Sequence, residues 1–220
     1  MTEKGLWVAI DGIDAVGKTT QVNAVSNSLR GTLNVPVESI AEFSSFPPGR
    51  VITEILERQR FYALHPEKKT PLADTVFLLS DMLTQYETVI APTVALGGIA
   101  VSDRGNISFI AYQALRIEDA GVSLNTDSFQ WAHSLAQQCL ITPDFTILLT
   151  IPEEEMVKRI IQRGESPPSD SELNFLARLN KAVQIAAEVS GSEIVEIDGS
   201  LPKENVTDNI LELINKKISL

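Results

Sequence analysis

Gly12 to Thr19 reads G-x-x-x-x-G-K-T, the spacing of a loop that wraps phosphate groups. Such a turn aims backbone N–H groups at an anion, Lys18 adds a mobile positive charge, and the Thr19 hydroxyl is a ligand for Mg²⁺. The cradle takes in Gly12, Ile13, Asp14, Ala15, Val16, Gly17, Lys18, Thr19 and Thr20. An apolar run over 6–10 reads as a buried strand entering the loop, and a polar, helix-like stretch over 19–29 leaves it. Phosphoryl transfer also needs a divalent cation, positive charge on the transferred group and a place for the acceptor. Asp103, ending an apolar strand, is the acidic partner for the metal; without a phosphate loop it would read as a cap or turn residue. Arg104 follows it and, if the strand continues, points the opposite way. Its two readings are an anchor for an acceptor phosphate and a partner for a neighbouring acid.

These residues require a sheet to hold them. Five segments read as strands buried on both faces: 6–11, 35–43, 98–103, 145–151 and 193–198. Helical stretches fall between them at 19–29, 51–60, 72–96, 128–139, 153–163, 171–189 and 204–217. Pro92 should kink or end the third of these. Strand alternating with helix predicts an α/β, doubly wound fold with a five-stranded parallel sheet, its ligands beyond the carboxyl ends of the strands. Asp11, Glu42, Asp103 and Arg104 stand at those ends. The 220 residues read as a single domain, and 164–172, rich in Ser, Pro and acids, as a mobile loop: a lid over nucleotide or a helix–helix linker.

A formal charge of −11 argues against a nucleic-acid-binding face or an anionic membrane surface, while leaving room for a small basic pocket. Residues 1–4 carry no basic-then-apolar signal, and no apolar run is long enough to span a bilayer. Cys139 is the only cysteine and reads as a packing residue. His65 and His133 have no metal-spaced partners, and Lys68-Lys69 reads as solvated surface. The expectation is a cytoplasmic protein.

The chain resembles the thymidylate kinases, within the P-loop nucleoside monophosphate kinases. Residues 10–20 are similar to that family's loop, including Asp14, which the family keeps close to the reacting phosphates. Ser102-Asp103-Arg104, followed by Ser108 and Ala111-Tyr112-Gln113, resembles its D-R-Y-x-x-S-S-x-A-Y-Q block. Residues 87–92 resemble the helix before its third strand, and 143–155 its P-D-x-x-x-x-L-x-x-x-P-E-E segment. The resemblance implies ATP and Mg²⁺ as donor and metal, a small-molecule nucleotide acceptor, possible homodimers, and a short lid at about 159–175 whose cations are Arg159 and Arg163. It also implies that Gln113 hydrogen-bonds the base.

The acceptor side departs from the pattern. The family's phosphate-binding Arg in R-E-P-G-G-T aligns with Ala41, its base-reading Arg with Met82, and the Tyr of D-R-Y with Gly105, where either a ring's space is vacated or the backbone alone is adjusted. The lid's D-R-x-E is replaced by residues 167–170. Arg50 either supplies the cation missing at Ala41 or is solvated; Phe43 and Phe46 either pack on base and sugar or belong to the core. Three functions stay open: a monophosphate kinase, with Lys18, Asp14, Arg104, Arg159 and Arg163 catalytic; a nucleoside kinase, with Glu42 as general base for a sugar hydroxyl; and a nucleotide-binding protein that has lost catalysis. Glu42, Phe43, Phe46, Arg50, Met82, Arg104, Gly105, Tyr112 and Gln113 are the acceptor-site candidates.

Overall fold

A computed structural model of the chain describes residues 5–59, 64 and 68–218. The elements in order are β1 (Leu6–Asp11), α1 (Lys18–Thr32), β2 (Val37–Ile40), α2 (Pro47–Leu56), α3 (Pro71–Gln85), a π-helical turn (Tyr86–Ile90), α4 (Ala91–Ala95), β3 (Ile99–Asp103), α5 (Asn106–Asp119), α6 (Ser128–Gln138), β4 (Phe145–Thr150), α7 (Glu153–Gln162), α8 (Asp170–Ser190), β5 (Ile194–Asp198) and α9 (Lys203–Ile218). The five strands form one parallel sheet in the order β2-β3-β1-β4-β5, flanked by helices. This is the α/β architecture expected. The chain runs outward to β2, returns to β3 beside β1, then crosses to β4 on the other side, so the strand order reverses around β1. The crevice beyond its carboxyl end is where such sheets bind ligands.

β1, β3 and β4 are almost wholly buried, which explains their continuous apolar runs. In register, Ile10 lies beside Asp103 and Asp11 beside Leu148, so the phosphate loop and the acid of β3 leave the sheet at the same level.

Several boundaries differ from the sequence reading for physical reasons. β2 is confined to Val37–Ile40, leaving Ala41, Glu42 and Phe43 in the loop beyond it. α2 starts at Pro47, because Pro47 and Pro48 occupy first-turn positions where no N–H is required; Arg60, its expected end, lies outside the described residues, as does His65. Pro92 neither ends nor breaks its helix. The π-helical turn Tyr86–Ile90 precedes it, and Pro92 falls in the first turn of α4, where its missing donor is not required. The expected 164–172 loop is shorter at its far end, since Ser169 and Glu172 form a capping box that starts α8 at Asp170.

α5 was not recognised as a helix from its residue pattern. Ten of its 14 residues are buried, so it has no clear polar face. Nor does its N-cap, Gly105, supply a side chain. The cap comes from β1: the buried carboxylate of Asp11 accepts from the N–H groups of Gly105 (3.0 Å) and Ser108 (3.1 Å), from the Ser108 hydroxyl, and from Gly12 N–H (2.8 Å). One carboxylate thus fixes the entrance of the phosphate loop and the start of the helix after Arg104.

Candidate active site

The loop between β1 and α1 holds three left-handed residues, Gly12 (φ 135°), Ala15 (φ 63°) and Gly17 (φ 103°). An added Cβ on Gly12 would lie 2.4 Å from the Leu149 carbonyl oxygen, so only glycine fits there. Ile13, Ala15 and Val16 bury their side chains in the core, which leaves their backbone as what they offer a ligand. No side chain caps α1, whose N-cap is Gly17, and no acidic residue stands in its first turn. Its first N–H groups and helix dipole therefore face the cavity without a built-in anion. Lys18 is buried and donates to the Ile13 carbonyl (2.9 Å). Burial and the Arg104 charge hold its ammonium below the usual lysine range, against the pull of Asp14, Glu42 and Asp103.

The Thr19 hydroxyl donates to Asp103 Oδ2. Asp103 Oδ1 is buried and has no hydrogen-bond partner among the described residues. A hydroxyl and a carboxylate with one oxygen still to be satisfied suit a hard cation that takes its other ligands from water and phosphate. Consistent with that, no group of three or more His, Cys, Asp or Glu among the described residues is placed to enclose a metal by itself.

Arg104 does not continue the strand. Its backbone is left-handed (φ 79°), and this turns its side chain into the same crevice as Asp103. There Nε donates to Glu42 (2.6 Å), Nη2 to Asp14 (2.6 Å), and Nη1 to Gly12 O (2.9 Å) and the Ser108 hydroxyl (3.0 Å). The guanidinium also lies 5.3 Å from the centre of the Tyr112 ring. Of the two sequence readings of Arg104, the pairing with neighbouring acids is seen directly, and the side chain also lines the crevice. Burial would lower its pKa, but the surrounding negative charge, Glu42 first, holds it well above the usual arginine range. Burial pushes the Asp14 carboxyl up, yet Arg104 and Lys18 together hold it below the usual aspartate range. Desolvation, and then the Asp14 charge, push the phenol of half-buried Tyr112 well above its usual range.

Two cavities meet at this hub. One, of about 320 Å³, is walled by Gly17, Lys18, Thr19, Ile160, Arg163 and Glu165 among others. The other, of about 370 Å³, is mostly apolar and includes Phe43, Met82, Gly105, Tyr112, Gln113 and Phe175. Asp14, Glu42, Leu56 and Arg104 line both. Phe46 and Arg50 line neither; Phe46 is the N-cap of α2, and Arg50 is exposed in its first turn. Arg159 lines neither as well. It is engaged behind the phosphate loop with Glu155 (2.9 Å) and with the carbonyls of Ala15 (3.4 Å), Val16 (3.2 Å) and Gly199 (2.9 Å). Gly105 does not mark a vacated space. An added Cβ would point away into β1, 2.7 Å from Ala9 Cβ, so the glycine is there for close packing.

Around the mostly apolar cavity stand residues to which the sequence reading gave no role, Asp81 behind its wall and Arg116 in it. Asp81 receives the Ser44 N–H (3.0 Å) and hydroxyl, and so ties the loop after β2 to α3. Arg116 lines the cavity and pairs with Asp74, which is buried. A signal for it existed: Tyr112, Gln113 and Arg116 stand four and three residues apart, the spacing of one helix face.

A parallel sheet with strand order reversing at a phosphate loop, and two cavities joined across it, is the arrangement of a P-loop nucleoside monophosphate kinase. The sequence model of thymidylate kinases matches residues 10–210, and the chain belongs to that family. It is 31% identical to a probable thymidylate kinase of Pyrobaculum aerophilum over 96% of this chain and 97% of the relative. It is 31% identical to a thymidylate kinase of Prochlorococcus marinus, over 98% of each chain. A thymidylate kinase of Neisseria meningitidis is 28% identical over 97% of this chain and 98% of its own. No described helix is long and apolar enough to cross a membrane.

Proposed function

We propose that the protein transfers the γ-phosphoryl group of ATP to the 5′-phosphate of a deoxynucleoside monophosphate of the thymidylate class, giving ADP and the diphosphate. The observation that carries this reading is the junction of the two cavities at Asp14, Glu42 and Arg104. A donor phosphate chain on the loop and an acceptor phosphate in the apolar cavity would meet there, in line and out of bulk water. The backbone N–H groups of residues 12–20 and Lys18 hold the donor phosphates. Mg²⁺, held by Thr19 and Asp103, would neutralise charge on those phosphates. Arg104 presents positive charge where the acceptor phosphate enters, in exchange for part of its bonding to Glu42 and Asp14. Arg163, at the donor cavity, stabilises charge on the transferred group as the 159–175 segment closes. Arg159 acts through the loop, which it braces from behind. Leu72 and Val76, exposed one turn apart on α3, are a surface for a second copy of the chain.

An acceptor phosphate oxygen is already ionised, so no general base is required. Glu42 then serves to hold Arg104, and the family membership supports a phosphate acceptor over a sugar hydroxyl. The test is incubation with ATP, Mg²⁺ and separate panels of nucleosides and monophosphates, following ADP. Turnover with monophosphates alone is expected, and Lys18→Ala should abolish it. Turnover with nucleosides alone would overturn the reading in favour of Glu42 as a base; ATP binding without turnover would favour a lapsed enzyme.

A further inference from the structure

The acceptor cavity lacks the arginine that its family resemblance places at Met82, yet it contains another. Arg116 reaches it from α5, with a side chain only 18% exposed, and its Nη2 donates to Asp74 Oδ2. Asp74 is itself held in place. It accepts at Oδ1 from Leu64 N–H (3.1 Å) and the Thr70 hydroxyl (3.1 Å). Next to it on α3, Thr75 stands 3.0 Å from the end of the Gln113 amide. Consecutive residues of α3 thus fix two side chains that lie three apart on the cavity face of α5.

The hydrogens define what those two side chains present. The Thr75 hydroxyl lies 2.7 Å from the Pro71 carbonyl and 3.0 Å from Gln113 Oε1, and its single hydrogen cannot serve both. Given to Pro71 at the shorter distance, the usual back-bond of a helical threonine, it would leave two oxygens facing each other, a conflict removed by turning the Gln113 amide over so that its NH₂ donates to the Thr75 oxygen. The amide oxygen is then left for the cavity. A guanidinium beside it can only donate. An acceptor next to a donor matches a base edge with a ring N–H beside a carbonyl. It mismatches an edge with a bare ring nitrogen beside an amino group.

We propose that Arg116, positioned by Asp74, is the specificity-determining donor of this chain: it reads the carbonyl of an oxo-base and replaces the arginine absent at Met82. This rests on the monophosphate-kinase reading. The apolar walls contributed by Leu78, Met82 and Phe109 then hold the ring by contact. Planar, forked and always charged, the guanidinium is not replaced by an ammonium at such a site.

The experiment measures kcat and KM for dTMP, dUMP, dGMP, dCMP and dAMP in the wild type, Arg116→Gln, Arg116→Lys and Asp74→Asn. The wild type should favour the first three. In Arg116→Gln, KM for the oxo-bases should rise about tenfold to a hundredfold, the value of a hydrogen bond to a charged group, while KM for ATP stays unchanged. Arg116→Gln leaves Asp74 buried without its cation; if that variant fails to fold, Arg116→Lys keeps the charge and should still narrow the preference. Asp74→Asn should act in the same direction, more weakly. Adding Met82→Arg to Arg116→Lys should restore the preference. An unchanged ratio of oxo- to amino-base kcat/KM in folded Arg116→Lys would overturn the inference and leave the functional reading standing. A wild type that turns over no monophosphate would overturn both.

Discussion

Replacing Arg104 by leucine removes the guanidinium that joins the phosphate loop, the end of β2 and α5. Four acceptors lose their donor at once: Glu42, Asp14, Gly12 O and the Ser108 hydroxyl. Breaking a fully buried ion pair costs about 3–5 kcal/mol. The Arg104 side chain is 12% exposed, but those of Asp14 and Glu42 are 38% and 35% exposed, and solvent screens part of the loss. A cost of about 2–3 kcal/mol follows. At this chain length that lowers Tm by roughly 4–12 °C. Activity should fall further, by about a hundredfold to a thousandfold in kcat/KM, the loss typical of one donor aimed at developing charge.

The acid response should change too. In the wild type Asp14 titrates below its ordinary range, so its contribution to stability is present above pH 3.8 and is lost as pH falls through the lower folded value. Without the Arg104 charge that carboxyl should rise from its lowered value, with Lys18 still holding it down in part, and acid unfolding should begin at higher pH. Thermal melts across pH, with steady-state kinetics at neutral pH, check both. A Tm within about 1 °C of wild type and kcat/KM within about threefold would refute the hub assigned to Arg104. Glu42→Gln added to Arg104→Leu should cost little more, since its partner is already gone.

Other outcomes are equally specific. Gly105→Ala should lower stability by about 1–3 kcal/mol in a denaturant titration, because the new methyl meets Ala9; a neutral result would restore the vacated-space reading. Asp103→Asn should raise the Mg²⁺ concentration for half-maximal turnover by about 10–100-fold, and an unchanged Mg²⁺ dependence would remove Asp103 from the metal site. Gly12→Ala should weaken ATP binding by at least about tenfold in calorimetry, since the loop must shift off Leu149; unaltered affinity would mean the cradle tolerates that shift.

What could be read in the sequence was what is local. The phosphate loop declared itself because its glycines, lysine and threonine act through one short stretch of backbone. The buried strands did so because continuous apolar runs have few other uses. What escaped was set by distant partners. α5 is capped by Asp11 of β1, so its own first turn carries no start signal. Arg104 turns back into the crevice because of one left-handed residue, which no spacing announced. Gly105 looked like missing bulk and is instead close packing against Ala9. Arg116 acquires meaning only from Asp74, a residue 42 positions earlier. Phe46 and Arg50 were attractive by type, yet the start of α2 at Pro47 carries them away from the cavity walls.

In the proposed reaction a phosphoryl group leaves a nucleotide on the phosphate loop for a phosphate in the adjoining cavity. Its most direct test follows the label from γ-³²P-ATP during turnover with Mg²⁺ and dTMP. The label should appear in the β-phosphate of the deoxynucleoside diphosphate, and should not appear there with the Lys18→Ala protein. Label found only in inorganic phosphate, or on the 5′-hydroxyl of a supplied nucleoside, would contradict it.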